Sequence, residues 1–496
     1  MPVAVVRRRV PELAVTALVA AVASWRVDVP SPWRDEGATW MAAGRSLPDL
    51  FALTRTVDLV HLPYYLLAHA VLAVDDSILA LRLLSVVATA LTGGLLVALG
   101  RRLGSVRVGV TAGLALAVSP LASRYGQEAR PYALAALAAS LAALALARAT
   151  DPDARRWAWQ GGRAWWLYGL AVVATGLVNV LALLVVAGHA VFVLTSRRSA
   201  LRRWAVSTAG ALAVLGPFVA ATSRQAGQVG WLTRPTAHDL AVVLEAPFGP
   251  GLTVVAGVAA ATGVAPVAGG LRGLHRPAVV LGAGWGVLPP VLLWLVSQGH
   301  PLFDGRYAVA ALPGTCLALA GLTPPRHPHD QGKGRAAAPA VVLVLALAVI
   351  GWPAHQGYRD PASGHAEDVR GALRILVGQA RPGDAVLFVP YHLRIVTAMA
   401  PGLEPSLDAV LGAVPDDVAL GRDRIASASM AGEDVTAAEV PTRLAGRTRV
   451  WLLTDTRAAP VATPADRAKL ALLETGYIVV RREQVTHFTV TLHERS

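Results

Sequence analysis

Cysteine is nearly absent from this chain. Cys316 is the single one and lies inside an apolar run, so no intramolecular disulfide can form and cysteine usage says nothing about redox compartment. Charge is scarce as well, 16% of residues against 54% apolar, with a mean hydropathy of +0.50. That balance leaves too little polar surface to cover a soluble fold. Lysine is scarcer still: nearly all basic residues are arginine, and Ala and Val dominate the apolar set, the bias of a GC-rich bacterial coding sequence. No internal repeat is visible, which weakens an inverted-repeat transporter reading.

The apolar residues gather into runs near the roughly 17 to 25 residues that a hydrocarbon core requires. Spans are expected near 11–29, 77–100, 108–123, 131–147, 164–178, 180–195, 205–221, 250–268, 277–296, 307–322 and 339–353. The first follows Arg7, Arg8 and Arg9 without a small-residue cleavage site, so it reads as a retained helix that starts the chain in the cytoplasm. Alternation then puts the basic clusters inside: Arg101, Arg102 and Arg107; Arg148, Arg155, Arg156 and Arg163; Arg197, Arg198, Arg202 and Arg203; Arg272 and Arg276; Arg326, Lys333 and Arg335. The opposite loops carry fewer, as the positive-inside rule requires. The net charge of +13 is thus cytoplasmic loop charge, with no nucleic-acid partner implied. The 13-residue stretch 62–74 is short for a crossing, and counting it would reverse the Arg101 cluster; it is expected to lie in the outer interface.

The fold class expected is a polytopic α-helical membrane protein of about eleven transmembrane helices over 1–353. Its first outer loop spans 30–76, and a small extracytoplasmic α/β domain follows at 354–496. In that domain 365–380 and 465–475 read as helices, 384–390 and 449–455 as buried strands, and 477–481 with 486–493 as a strand pair. It shows no glycine-rich phosphate loop, no Cys/His metal spacing and no Ser-centred elbow, so it reads as a lid or acceptor-docking module.

Chemistry-bearing residues fall in the expected outer loops. Trp33-Arg34-Asp35-Glu36-Gly37-Ala38-Thr39 places two adjacent carboxylates just after the first span. Adjacent acids on a loop are usually only solvated, but partial desolvation beside apolar helices makes a carboxylate a better general base. The same loop ends in His61-Leu62-Pro63-Tyr64-Tyr65, which suits sugar stacking or, more blandly, an interfacial aromatic belt. The second outer loop reads Arg124-Tyr125-Gly126-Gln127-Glu128-Ala129-Arg130-Pro131-Tyr132. Pro131 suits the first position of the next helix, whose free N–H groups beside Arg130 would form an anion site; the alternative is that Glu128 and the arginines pair with one another. Arg306, followed by Tyr307, sits at the mouth of an apolar helix and needs a partner: a phosphate, Glu128 or Asp304.

Taken together, Arg34-Asp35-Glu36 with Thr39, His61-Leu62-Pro63-Tyr64-Tyr65, Gln127-Glu128-Ala129-Arg130-Pro131-Tyr132, and Arg306-Tyr307 followed by Pro313 resemble the polyprenyl-phosphate-dependent membrane glycosyltransferases of the GT-C fold. Protein mannosyltransferases using dolichyl-phosphate-mannose and bacterial aminoarabinose-transferase-like enzymes are the nearest in pattern, over roughly residues 1–320. Leu62 stands where the family often has a first proline, and Asn179 where it often has an aromatic or His. The resemblance implies transfer of a sugar, mannose first and a pentose second, from a polyprenyl-phosphate donor to a hydroxyl on a glycan, glycolipid or protein acceptor. The transfer would be an inverting displacement at the outer face of the plasma membrane. It implies Asp35 as base, with Glu36 and Glu128 positioning hydroxyls and Glu128 as the reserve base. Arg130 and Arg306 would hold the phosphate, His61 and Tyr64 would line the sugar pocket, and Gln127 would support Glu128; Arg34, Tyr132 and Tyr307 belong to the same substrate-binding set. No cofactor is required; a divalent metal beside Asp35 and Glu128 is compatible, but no spacing demands one. Two readings of other classes compete: a lipid-linked-sugar transporter or flippase, and a non-catalytic relative in cell-envelope assembly.

Overall fold

The computed structural model describes residues 2–151, 158–249, 275–323, 338–362, 364–399, 415–456 and 463–496. Five described helices are long and apolar enough to cross a membrane: Ile78–Leu103, Tyr132–Ala149, Arg198–Ser223, Arg276–Val296 and Ala338–Gly357. The pair Val106–Ala117 and Pro120–Gly126, bent by 65°, makes a sixth if it counts as one span. The expected segments 11–29 and 164–178 fall on the helices Pro2–Ser24 and Ala158–Val178. The segment 250–268 lies outside the described residues.

Three expected spans are subdivided: 180–195 is a 3-10 turn at Val180–Leu184 followed by the helix Val185–Ser196, and the other two break for local reasons. Over 108–123 the helix stops at Ala117 and restarts at Pro120, where Ser119 caps the new turn by accepting the Ala122 N–H. Proline removes a ladder donor, and the acceptors released by such a break must be satisfied inside the membrane. His355 does this: its Nε2 lies 2.9 Å from the Val118 carbonyl oxygen and its Nδ1 lies 2.7 Å from Ser123 Oγ. Because a carbonyl only accepts, Nε2 carries the proton and Nδ1 receives the serine hydroxyl. The segment 307–322 likewise begins as the 3-10 turn Gly305–Ala311 and becomes α-helical only at Leu312–Gly321.

The chain divides into two compact units, Met1–Trp25 with Arg82–Gln356 and Arg26–Leu81 with Gly357–Ser496. The sequence instead grouped 30–76 with the membrane module.

In the first unit the helices approach closely through small residues. A Cβ added at Gly188 would lie 2.5 Å from the Trp285 nitrogen and 2.6 Å from the Gly284 carbonyl carbon, both backbone atoms. Helix pairs in lipid rely on such stripes, since apolar burial alone does not draw helices together there. Gly188→Ala is therefore expected to force Val185–Ser196 away from Arg276–Val296, at a cost of about 1–3 kcal/mol. A lowered thermal midpoint in detergent would show it, and an unchanged midpoint would contradict the packing. Elsewhere the helices Leu201–Ser223 and Ala338–Gly357 leave broad apolar faces uncovered, with Val214 68% and Val349 74% exposed, as lipid-facing helices do.

The second unit holds a five-stranded sheet ordered β2-β1-β5-β7-β6, built from β1 Ala385–Val389, β2 Asp416–Asp417, β5 Arg449–Asp455, β6 Tyr477–Val485 and β7 Phe488–Arg495. Strands β2, β1 and β5 run parallel, and β5, β7 and β6 antiparallel. Strand β1 is buried throughout, which explains its unbroken AVLFV. A separate two-stranded ribbon joins β3 Leu420–Arg422 to β4 Glu433–Asp434. The helices Val369–Gln379 and Pro464–Gly476 pack on the larger sheet. Lys469, wholly buried, donates to the Phe388 carbonyl at 3.0 Å and to Asp466 at 3.1 Å, and also pairs with Asp434; Arg394 bridges Asp434 and Asp417.

The stretch 30–76 is not an extended loop. It forms the helices Arg34–Ala43, Leu47–Thr56 and Leu62–Leu72 with a 3-10 turn at Leu59–His61. Its ties to the C-terminal residues explain the grouping: the Ser31 N–H donates to the Pro361 carbonyl, Arg370 donates to Ser31 Oγ and the Val29 carbonyl, and Arg45 donates to the Ser429 carbonyl. Gly37 faces Met399 so closely that a Cβ would lie 2.1 Å from its sulfur.

Candidate active site

In the second unit the paired acids occupy the first turn of Arg34–Ala43, where negative charge favours the helix dipole. They have different surroundings. Glu36 is wholly buried and accepts a hydrogen bond from His365 Nδ1 at 3.1 Å, His365 being wholly buried too. Asp35 is half-buried. Arg34 is anchored within the unit: its Nε donates to Glu367 Oε1 at 2.9 Å, and its Nη2 lies 2.7 Å from that oxygen and 2.8 Å from Asp455 Oδ2. Burial by itself lowers the Arg34 pKa, but Glu367 first and Asp455 next outweigh it, and the guanidinium ends above its ordinary value. A substrate ligand at Arg34 would have to share the group with two carboxylates. His392, beside this cluster, is held below the usual histidine range by burial and then by the Arg34 charge, against the pull of Asp455, Asp466 and Glu367.

The helix Leu62–Leu72 packs against Arg34–Ala43, and His69 Nδ1 donates to the Ala43 carbonyl at 2.7 Å. His61 ends the preceding 3-10 turn half-buried, its ring 5.8 Å from Tyr65, whose hydroxyl donates to Asp58 at 2.8 Å. Tyr64 is buried, so the Tyr64 side chain is a wall more than an exposed stacking surface.

In the first unit the structure gathers Glu128, Arg130, Tyr132, Arg306 and Tyr307. Glu128, wholly buried, pairs with Arg124 at 2.8 Å one turn away, and its carbonyl accepts the Ser85 hydroxyl at 2.6 Å. Tyr132 stands edge-on to Tyr125 at 5.3 Å and tilted to Tyr307 at 6.4 Å. Glu128, Arg124, Asp304 and Arg306 all act electrostatically on the Tyr125 hydroxyl, which ties the two loops into one polar cluster. Arg306 pairs with Asp304 at 3.1 Å, and its guanidinium lies 5.6 Å from each of the Trp231 and Tyr307 rings. Arg130 is buried, and the helix beyond it begins at Tyr132, with Pro131 as its cap. Gln127 does not support Glu128 with its amide: Nε2 donates to the Ala23 and Trp25 carbonyls at 2.8 Å each, closing the end of the first helix. Asn179 caps the turn after Val178, accepting from the Leu181 and Ala182 N–H groups. A cavity of about 220 Å³ beside Gly305 is lined by Leu121, Val243, Pro247, Pro290 and Leu312.

Sequence reasoning missed two kinds of residue. Arg82 is buried inside an apolar helix, and a lone arginine in such a run is a signal that was there to be read. Glu367, His365 and Asp455 carried no such signal, because their partners lie hundreds of residues away. Among the described residues no three His, Cys, Asp or Glu side chains are placed to hold a metal.

Residues 61–221 match the family model described as dolichyl-phosphate-mannose-protein mannosyltransferase. Two crystal structures of ArnT from Cupriavidus metallidurans, one apo and one bound to undecaprenyl phosphate, are 14% identical in sequence. Each match covers 97% of both chains with a TM-score of 0.56, so the chain has the ArnT fold. No curated protein sequence is similar enough to stand as a relative. The resemblance read from the residues, to GT-C membrane glycosyltransferases of the mannosyltransferase and ArnT type, is upheld.

Proposed function

From the ArnT fold and the mannosyltransferase match over 61–221, we propose that this protein transfers a sugar from a polyprenyl-phosphate donor to an acceptor hydroxyl at the outer face of the plasma membrane. The observation that carries the reading is Asp35: a half-buried carboxylate on the first turn of a helix, with its neighbours held on either side, Arg34 by an ion pair with Glu367 and Glu36 by a hydrogen bond from His365. In the proposed step the acceptor oxygen attacks C1 as its proton passes to Asp35, the bond from C1 to the phosphate oxygen breaks, and the anomeric centre inverts. General-base action of this kind contributes roughly 10²- to 10⁴-fold. Arg130 and Arg306 receive the departing phosphate, since guanidinium forks match its oxygens and stay charged when buried. The apolar cavity beside Gly305 suits the first part of the polyprenyl chain. Glu128, held by Arg124, orients hydroxyls, and His61 and Tyr64 border the sugar. The reading keeps eleven spans with the N-terminus inside, requires no metal, and takes mannose as the leading donor sugar, ahead of pentoses.

The test uses purified protein in nanodiscs with radiolabelled polyprenyl-phosphate-mannose and pentose donors, a membrane-extract acceptor, and chelator present or absent. Label should move to the acceptor with inverted configuration. If folded protein transfers from none of these donors, the reading fails. Replacing Arg306 by Ala should raise the KM for the donor about 10- to 100-fold, the worth of one charge-assisted hydrogen bond, with a smaller fall in kcat. An unchanged KM would remove Arg306 from the phosphate site.

A further inference from the structure

A helix that presents a reacting carboxylate on its first turn needs that turn held still, because the first N–H groups have no partners within the helix. In Arg34–Ala43 the N-cap, Trp33, supplies no side-chain cap; its carbonyl receives the Glu36 and Gly37 N–H groups. The acceptor for the first N–H comes from 333 residues along the chain: Glu367 Oε2 receives the Arg34 backbone N–H at 2.9 Å while Oε1 receives the Arg34 guanidinium. Two residues earlier in the same segment, His365 holds Glu36. Between them Ala366 has φ 69°, a left-handed conformation an alanine adopts only when its surroundings impose it. That bend sits between two side chains that both reach the same helical turn. Asp35 lies between the two anchored residues.

We propose that Glu367 and His365 are positioning residues for Asp35: residues 365–367 of the C-terminal region act as a helix cap supplied from far along the chain, fixing the turn that carries the base. This extends the role of 357–496 beyond acceptor docking, and it rests on the assignment of Asp35 above. Neither residue touches substrate in this scheme; both act through the Arg34–Glu36 backbone.

The experiment compares wild type, Glu367→Ala, Glu367→Gln and Asp35→Asn as full-length chains in nanodiscs, by hydrogen exchange and by transfer kinetics. In Glu367→Ala, exchange in Arg34–Ala43 should rise about 5- to 30-fold, the effect of a lost cap, while β1 and β5 stay protected. Turnover should fall at least 10-fold with the donor KM within about twofold, the split expected when orientation alone is lost. Glu367→Gln keeps a neutral acceptor for the Arg34 N–H and should fall between the two. If exchange in Arg34–Ala43 does not change in either variant, the proposal is overturned. If Glu367→Ala loosens β1 and β5 as well, Glu367→Gln decides: faster exchange confined to Arg34–Ala43 supports the proposal, and its absence overturns it. Should Asp35→Asn abolish transfer while both Glu367 variants turn over like wild type, positioning alone fails. Should Asp35→Asn transfer like wild type, the base assignment fails whatever the Glu367 variants do.

Discussion

Asp35→Asn is expected to lose roughly 10²- to 10⁴-fold in kcat, the range for a general base, with binding of the lipid-linked donor unchanged. The amide keeps the carboxylate's size and cannot take a proton. The backbone carbonyl of Asp35, which receives the Thr39 hydroxyl, is untouched, so the helix should survive the change. Donor binding should survive as well, because the arginines assigned to the phosphate belong to the other unit. The adjacent acid provides the contrast. Glu36 is wholly buried on His365, so Glu36→Ala should act chiefly through stability, leaving a buried histidine without its acceptor. A kinetic comparison of the two variants at matched folded fraction separates these roles. If Asp35→Asn stays within threefold of wild type and Glu128→Gln does not, the proton acceptor is Glu128.

Lys469→Ala is expected to destabilise the second unit by about 3–5 kcal/mol, the usual effect of removing one partner from a buried charge network. Lys469 and Asp466 are both wholly buried, and Asp434 answers to Lys469 and Arg394 together. Without the ammonium, Asp466 is left as a buried charge without its ion-pair partner, and the Phe388 carbonyl loses a donor at the end of β1. Hydrogen exchange should show β1 and the helix Pro464–Gly476 opening together. A variant whose sheet exchanges at the wild-type rate would mean that water or a neighbour replaces the ammonium.

The apolar runs were legible because membrane burial writes itself into composition: a helix facing lipid must be apolar on its outer side, whatever it packs against. The strands 384–390 and 449–455 were legible for a related reason, as short apolar runs bounded by turn residues. The interruption at Ser119-Pro120 was also there to be read, since a proline after a capping serine is a helix start; the length of the apolar run concealed it. In the candidate site, position and residue type pointed to Asp35, Glu128, Arg130 and Arg306, and also to two local pairs that the structure contains, Glu128 with Arg124 and Arg306 with Asp304. Arg34 was grouped with substrate through the family resemblance, whereas the structure pairs it with Glu367 and Asp455. Gln127 was grouped with Glu128 through the same resemblance, whereas its amide nitrogen reaches the end of the first helix instead. Pairings separated by hundreds of residues leave no periodicity and no local motif, so a single sequence does not reveal them.

The distance along the chain between Arg34 and Glu367 also sets a timetable. At about 5–20 residues per second, a ribosome needs roughly 17–67 s to travel the 333 residues between them. Through most of that interval the stretch 26–81 has been made without its later partners, while the helices between are still being synthesised. The turn that bears Asp35 can take its final form only after Glu367 has been made, so a chain truncated before that point would carry the proposed base without its anchor.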